Sequence, residues 1–233
     1  MDIELDDENS RLYGKETIKY TNNSPDELPY LWLQLDQNIR KKNAPNLDKN
    51  SSGNSVSQSP SSFLRNYTNE DFDGGFTINS VQDIKGNILP FKINQTMMRV
   101  DLKKALAPGQ VFEFKIDWWY NINNRMEYGG RSGYETFEND VNKVYTIAQF
   151  FPRLCVYNDV EGWQNFQFWG NGEFALEFGD YEVNITVPSD HIMEATGSLL
   201  NPKEVLTSCL LYTSPSPRDV EESRMAACAW KKK

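Results

Sequence analysis

Val111-Phe112-Glu113-Phe114-Lys115-Ile116-Asp117-Trp118-Trp119-Tyr120 puts Phe112, Phe114, Ile116, Trp118 and Tyr120 on one side of an extended chain. Glu113, Lys115 and Asp117 fall on the other side. Successive side chains of a strand point to opposite faces, so a period of two marks a strand with one face in a core. The same period runs through Met98, Val100 and Leu102, and through Tyr181, Val183, Ile185 and Val187. Further strands are predicted over 2–8, 12–21, 29–35, 76–83, 88–93, 144–149 and 173–178. Turn chemistry separates them, as in Asn23-Ser24-Pro25-Asp26, Lys85-Gly86-Asn87 and Ala107-Pro108-Gly109. No segment of twelve or more residues carries a helical stripe. The expected fold is all-β, an antiparallel sheet or sandwich.

Two segments interrupt this rhythm. Residues 42–62 are polar and low in complexity, and read as a long surface insertion. Residues 121–142 contain Gly129-Gly130-Arg131-Ser132-Gly133-Tyr134, which reads as a Gly-rich aromatic loop: either a plain turn or a functional edge. From Ser208 the character changes again. Cys209 to Lys233 reads either as a Pro/Ser-rich linker with a basic tail or, the reading preferred, with Cys209 to Asp219 resembling the translation of a transposon-type sequencing adaptor and the closing Lys231-Lys232-Lys233 a run of A beyond it. The natural domain is therefore expected to be 1–207, with 208–233 a non-native tail set aside from fold reasoning.

Composition narrows the function classes. Hydrophobic residues make up 39% and aromatics 13% of the 233 residues, enough for a sizeable core. A net charge of −9 argues against nucleic acid as a partner, since neutralising phosphates needs clustered Lys and Arg. No apolar run approaches the ~20 residues of a membrane-crossing helix. Cys155, Cys209 and Cys228 form no C-x-x-C pair, and His191 is the single histidine, so no standard zinc-ligand set is present. His191 reads as a surface or strand-end residue, and one histidine supports no Ser-His-Asp arrangement. Asp71-Phe72-Asp73-Gly74 echoes part of a calcium loop whose later ligands are missing. Cys155, between Leu154 and Val156, reads as an inert buried thiol. Trp118 belongs to the core face, whereas Trp119 faces away from it and suits an interface. Trp163 and Trp169 are open to the same two readings.

A resemblance adds to this. Leu12-Tyr13-Gly14-Lys15-Glu16-Thr17-Ile18-Lys19-Tyr20-Thr21-Asn22-Asn23-Ser24-Pro25 is similar to the first hairpin of the aminopeptidase-N-like (gluzincin) zinc metallopeptidases, as is Leu31-Trp32-Leu33-Gln34-Leu35 to the strand that follows. More specific are Ala148-Gln149-Phe150-Phe151-Pro152-Arg153-Leu154-Cys155-Val156-Tyr157-Asn158-Asp159 with Gly162-Trp163-Gln164, then Asp180 to Pro188, and finally Ala195-Thr196-Gly197 with Asn201-Pro202. Residues 2–207 resemble the amino-terminal domain of that family, closest to secreted or lipid-anchored members of Bacteroidetes type.

The resemblance implies a saddle-shaped β domain packed on a thermolysin-like catalytic domain. Zinc, the H-E-x-x-H motif and the Gly-x-Met-Glu-Asn strand would all lie in that missing domain, so this piece alone would hold no cofactor and cleave no peptide. It would dock on its own catalytic domain and line one side of the peptide cleft. Where the family reads Thr-Gln-x-Glu, Gln149 matches and Phe151 takes the acidic position. Gln149 is then the substrate-contact candidate, with Phe151 an apolar wall where a carboxylate would have paired with an ammonium. Met1 would fall inside the first strand of a longer protein found in the periplasm, at the cell surface or outside the cell. The rival expectation is a free-standing β-sandwich module that binds carbohydrate or protein.

Overall fold

In the computed structural model the described residues are 1–42, 44, 72–137, 140–169, 175–213 and 227–232. The central element is β7 (Val111–Asn121), the strand quoted above. It pairs antiparallel along its whole length with β2 (Arg11–Thr21), from Arg11 opposite Asn121 to Thr21 opposite Val111. On its other edge lies β4 (Thr77–Asp83). β1 (Asp2–Asp6) pairs antiparallel with β2, and its free edge takes β13 (Val183–Val187) in parallel. Beyond β13 come β15 (Ala227–Lys232) and β14 (Ser198–Leu199), completing a seven-stranded sheet.

A second sheet holds four strands in the order β10 (Arg153–Leu154), β3 (Leu28–Gln34), β6 (Met97–Leu106) and β5 (Phe91–Asn94). Leu31 and Leu33 of β3 and Met98 and Val100 of β6 face Phe114, Ile116 and Trp118 of β7 in one continuous core. The expected all-β sandwich is the fold observed. Trp118 and Phe114 are fully buried, as the alternation required. Trp118 lies across Gly14, the residue opposite it in the register, where any side chain would collide with the indole.

The boundaries differ from expectation in informative places. The strand expected over 144–149 is β9 (Asp140–Thr146) and stops before Gln149, whose φ of 52° breaks the extended run. Its partner is β8 (Gly133–Phe137), inside the segment read as a Gly-rich loop. That segment also holds the short helix α1 (Arg125–Tyr128), capped by Asn124 Oδ1 on the Met126 amide. Of the strand expected at 173–178, Glu173 and Phe174 lie outside the described residues, and Leu176 makes one bridge to Cys155. The polar insertion over 42–62 lies outside the described residues apart from Lys42 and Ala44, as does Asp71 of the calcium-like run. In the tail, Ser208–Thr213 form a short helix and Ala227–Lys232 supply β15. The remaining strands pair as β11 (Tyr157–Asn158) with β12 (Gly162–Trp163).

Candidate functional site

Immediately after β3 the chain tightens into a 3-10 helix over Asp36–Arg40, and three consecutive polar residues, Asp36, Gln37 and Asn38, are buried there. A buried polar group must find partners or cost roughly 1–3 kcal/mol each. Each of the three meets this demand by gripping a different part of the chain. Asn38 Nδ2 donates to the Gln95 carbonyl at 2.7 Å and its Oδ1 accepts from the Phe76 amide at 2.8 Å. Asp36 Oδ1 accepts from Gln34 Nε2 at 2.5 Å, and Oδ2 takes Arg153 through Nε and Nη2 at 3.0 and 2.5 Å. Burial raises the Asp36 carboxyl above its ordinary value, and Arg153 and Gln34 pull it back.

Gln37 grips the segment that carries the predicted site. Its Nε2 donates to the carbonyls of Ala148 and Gln149, at 3.1 and 3.0 Å, and its Oε1 accepts from Arg40 Nη1 at 2.9 Å. Ser132 holds the same segment from the glycine-rich loop. Its Oγ accepts from the Ala148 amide at 2.6 Å and donates to the Ala148 carbonyl at 2.7 Å. Gln149 is thus a half-buried residue with a left-handed backbone between two rigid supports. Its side-chain amide has no hydrogen-bond partner among the described residues. Phe151, two residues on, packs edge-to-face against Phe150 and Tyr181, at centroid distances of 5.1 and 5.8 Å. The two residues singled out by resemblance therefore sit on one short segment, a polar amide beside an aromatic cluster.

The remaining candidates separate clearly. Cys155 is fully buried, and burial pushes its thiol up to about 12, away from nucleophilic chemistry. His191 Nδ1 lies 3.0 Å from Asp190 Oδ1, and its ring tilts 6.1 Å from that of Tyr145. Arg11 lies 4.8 Å above the Trp119 ring and Tyr13 leans on it at 6.2 Å. Trp163 is buried against Tyr20 and Tyr157. Among the described residues, no group of three or more His, Cys, Asp and Glu side chains comes together in a way that can hold a metal ion. No helix among them is long and apolar enough to cross a membrane. A surface cleft opens between Tyr20, Asp26, Tyr157, Asp159 and Glu177, with Tyr157 Oη donating to Asp26 Oδ2 at 2.8 Å.

Sequence reasoning missed Asp36, Gln37, Ser132 and Arg153, because a polar triplet after a strand normally signals a solvent-exposed turn. It also missed Glu16. That residue shares the face of Leu12 and Gly14 and is buried in consequence, a signal that alternation did offer.

Compared with protein families and with curated proteins, the sequence matches none. Among solved structures it is similar to an M1 zinc metallopeptidase from Deinococcus radiodurans, at 12% identity and a TM-score of 0.31 over 53% of this chain and 20% of that one. A mutant M1 zinc metallopeptidase from the same organism gives 12% identity and a TM-score of 0.33, over 58% of this chain and 22% of that one. A two-domain M1 zinc metallopeptidase mutant bound to L-tryptophan is matched at 12% identity and a TM-score of 0.31, over 53% of this chain and 20% of that one. The chain spans about a fifth of the length of these proteins.

Proposed function

We propose that this chain is the non-catalytic amino-terminal β domain of an exported, zinc-dependent metallopeptidase of aminopeptidase type. It docks on a catalytic domain encoded beyond residue 207 and lines one side of the peptide cleft with Gln149 and Phe151. The zinc belongs to that catalytic domain. Residues 208–233 are translated adaptor sequence and no part of the natural protein.

One observation carries this reading. The segment Ala148–Asp159, the most specific stretch of the resemblance, is the one that the buried Asp36-Gln37 pair and Ser132 hold in place. A fold that devotes this many buried polar groups to one surface segment is fixing the geometry of something presented there. Phe151 supplies an apolar wall without a charge for a free α-amine, so Gln149 provides the polar contact. Exposed apolar side chains, among them Phe166, Phe178, Val160 and Leu200, supply surface for the docking partner.

Long-read sequencing of the source DNA across the codon for Thr207 tests the proposal. A frame that continues into Gly-x-Met-Glu-Asn and H-E-x-x-H supports it. Genomic DNA that encodes Cys209 to Lys233 and then stops overturns it. The purified chain gives a second readout. A bared docking face binds a hydrophobic dye and self-associates, whereas a monomeric chain that leaves the dye dark contradicts the docking role.

A further inference from the structure

We infer that Gln37 is the positioning residue of this site, holding Gln149 in its left-handed backbone conformation so that the Gln149 side chain leaves the segment from a fixed backbone. The inference rests on the cleft reading above for its purpose, but the clasp itself is a property of this chain. In extended backbone, successive carbonyls point to opposite sides, so one side-chain amide cannot reach both. Gln37 Nε2 reaches both the Ala148 and the Gln149 carbonyl, which requires the residue between them to turn. Gln149 makes that turn with a φ of 52°. A left-handed L-residue is disfavoured by about 1–2 kcal/mol, and glycine escapes that cost. The strained position is nevertheless occupied by a glutamine whose side chain bonds to nothing in the described fold. Strain maintained by surrounding structure at a residue the fold does not otherwise need points to a use for that residue.

The clasp is built in layers. Arg40 Nη1 donates to Gln37 Oε1, which fixes which end of the Gln37 amide faces the carbonyls. Arg40 is itself covered by the glycine-rich loop: a Cβ at Gly130 would lie 2.5 Å from Arg40 Nη2. The same loop continues to Ser132, whose hydroxyl takes both backbone groups of Ala148. The loop and the 3-10 helix therefore both hold this segment, the loop at Ala148 and the helix at Ala148 and Gln149, and Gly130 lets the loop lie close on Arg40. The neutral side-chain amide carried on this backbone offers one acceptor and two donors, which suits the backbone or terminal amine of an extended peptide.

A double-mutant cycle in the purified 233-residue chain tests the clasp. Gln149→Gly should raise the urea midpoint in the wild-type background and give no gain together with Gln37→Leu, because the released segment then leaves the left-handed region. An equal gain in both backgrounds would overturn the inference. Should Gln37→Leu fail to fold, the wild-type chain still decides. Both Gln37 side-chain amide protons should exchange slowly with deuterated solvent, and fast exchange of both would sink the idea. A spectroscopic signature separates positioning from general stability. With Gln37→Glu, the positive-φ carbon shifts of Gln149 should be lost while the ordinary carbon shifts of Asp36 and Arg153 stay in place. Ser132→Ala should loosen Gln149 in the same way, and Ser132→Thr should restore it. None of these outcomes depends on whether the source DNA encodes a catalytic domain, so the clasp and the docking proposal stand or fall separately.

Discussion

Arg153 crosses from the edge strand of the smaller sheet to place Nε and Nη2 on a single oxygen of Asp36, at 3.0 and 2.5 Å. Asp36 is 2% exposed at its side chain and Arg153 19%, so this ion pair is largely shielded from water. Removing one partner strands the other charge in a dry site, which costs about 3–5 kcal/mol, whereas replacing both with apolar groups costs far less. Asp36→Leu and Arg153→Met should each lower the free energy of unfolding by that amount in urea denaturation. The double variant should be less destabilised than the two losses added together. Strict additivity would mean that the pair does not act as a unit.

Gly14 faces Trp118 across the β2–β7 register, and the indole occupies the space a side chain would need. Gly14→Val should push the indole out of the core and destabilise the domain by about 1–3 kcal/mol or more. The blue-shifted tryptophan emission of a buried indole should move to the red. An unchanged spectrum with unchanged stability would contradict this packing.

Glu16 lies on the core face of β2, and its Oε1 has no hydrogen-bond partner among the described residues. Burial holds its carboxyl well above the usual range, with the nearby Met1 amino group pulling slightly the other way. The folded state therefore keeps a proton that the unfolded chain releases in the ordinary carboxylate range. Stability from this site is full below that range and declines as pH rises toward the folded-state value. Glu16→Gln should flatten this part of the profile and add roughly 1–3 kcal/mol at pH 7. A variant whose pH profile parallels the wild type would show that Glu16 finds a counter-charge in solution.

Cys155 has no exposed surface, and burial raises its thiol to about 12. Alkylation of Cys155 by iodoacetamide at pH 8 should proceed only as fast as the domain unfolds. Peptide mapping should find Cys209, which is exposed, labelled within minutes. Prompt labelling of Cys155 in folded protein would show that the edge strand β10 opens readily.

The fold was legible wherever one face of a strand is apolar. β7 and β2 could be read almost to their ends, because a period of two over ten residues has no helical counterpart. The β8–β9 hairpin was not, since Gly133-Tyr134-Glu135-Thr136-Phe137 sits among glycines and its pairing is a non-local fact. Gln149 was reachable through its neighbours in sequence, Phe150 to Arg153. The residues that hold it were not, because Gln37 and Ser132 are 112 and 17 positions away along the chain and neither carries a local mark of burial. Asp36 and Arg153 show the same blindness: each reads as a surface charge until the other is known.

β1 receives its second neighbour from the far side of the molecule. Asp2, Ile3 and Glu4 lie opposite Asn184, Ile185 and Thr186, and the Met1 amino group donates to the Glu182 carbonyl at 2.7 Å. This arrangement imposes an order in time as well as in space. On a ribosome this strand waits long for its outer partner, because its outer row of amides and carbonyls stays open until about 180 further residues have emerged. A nascent chain arrested anywhere before Val187 exposes that row as a template for pairing with other chains. The need for protection during synthesis is therefore written into the connectivity of this sheet and not only into the stability of its finished form.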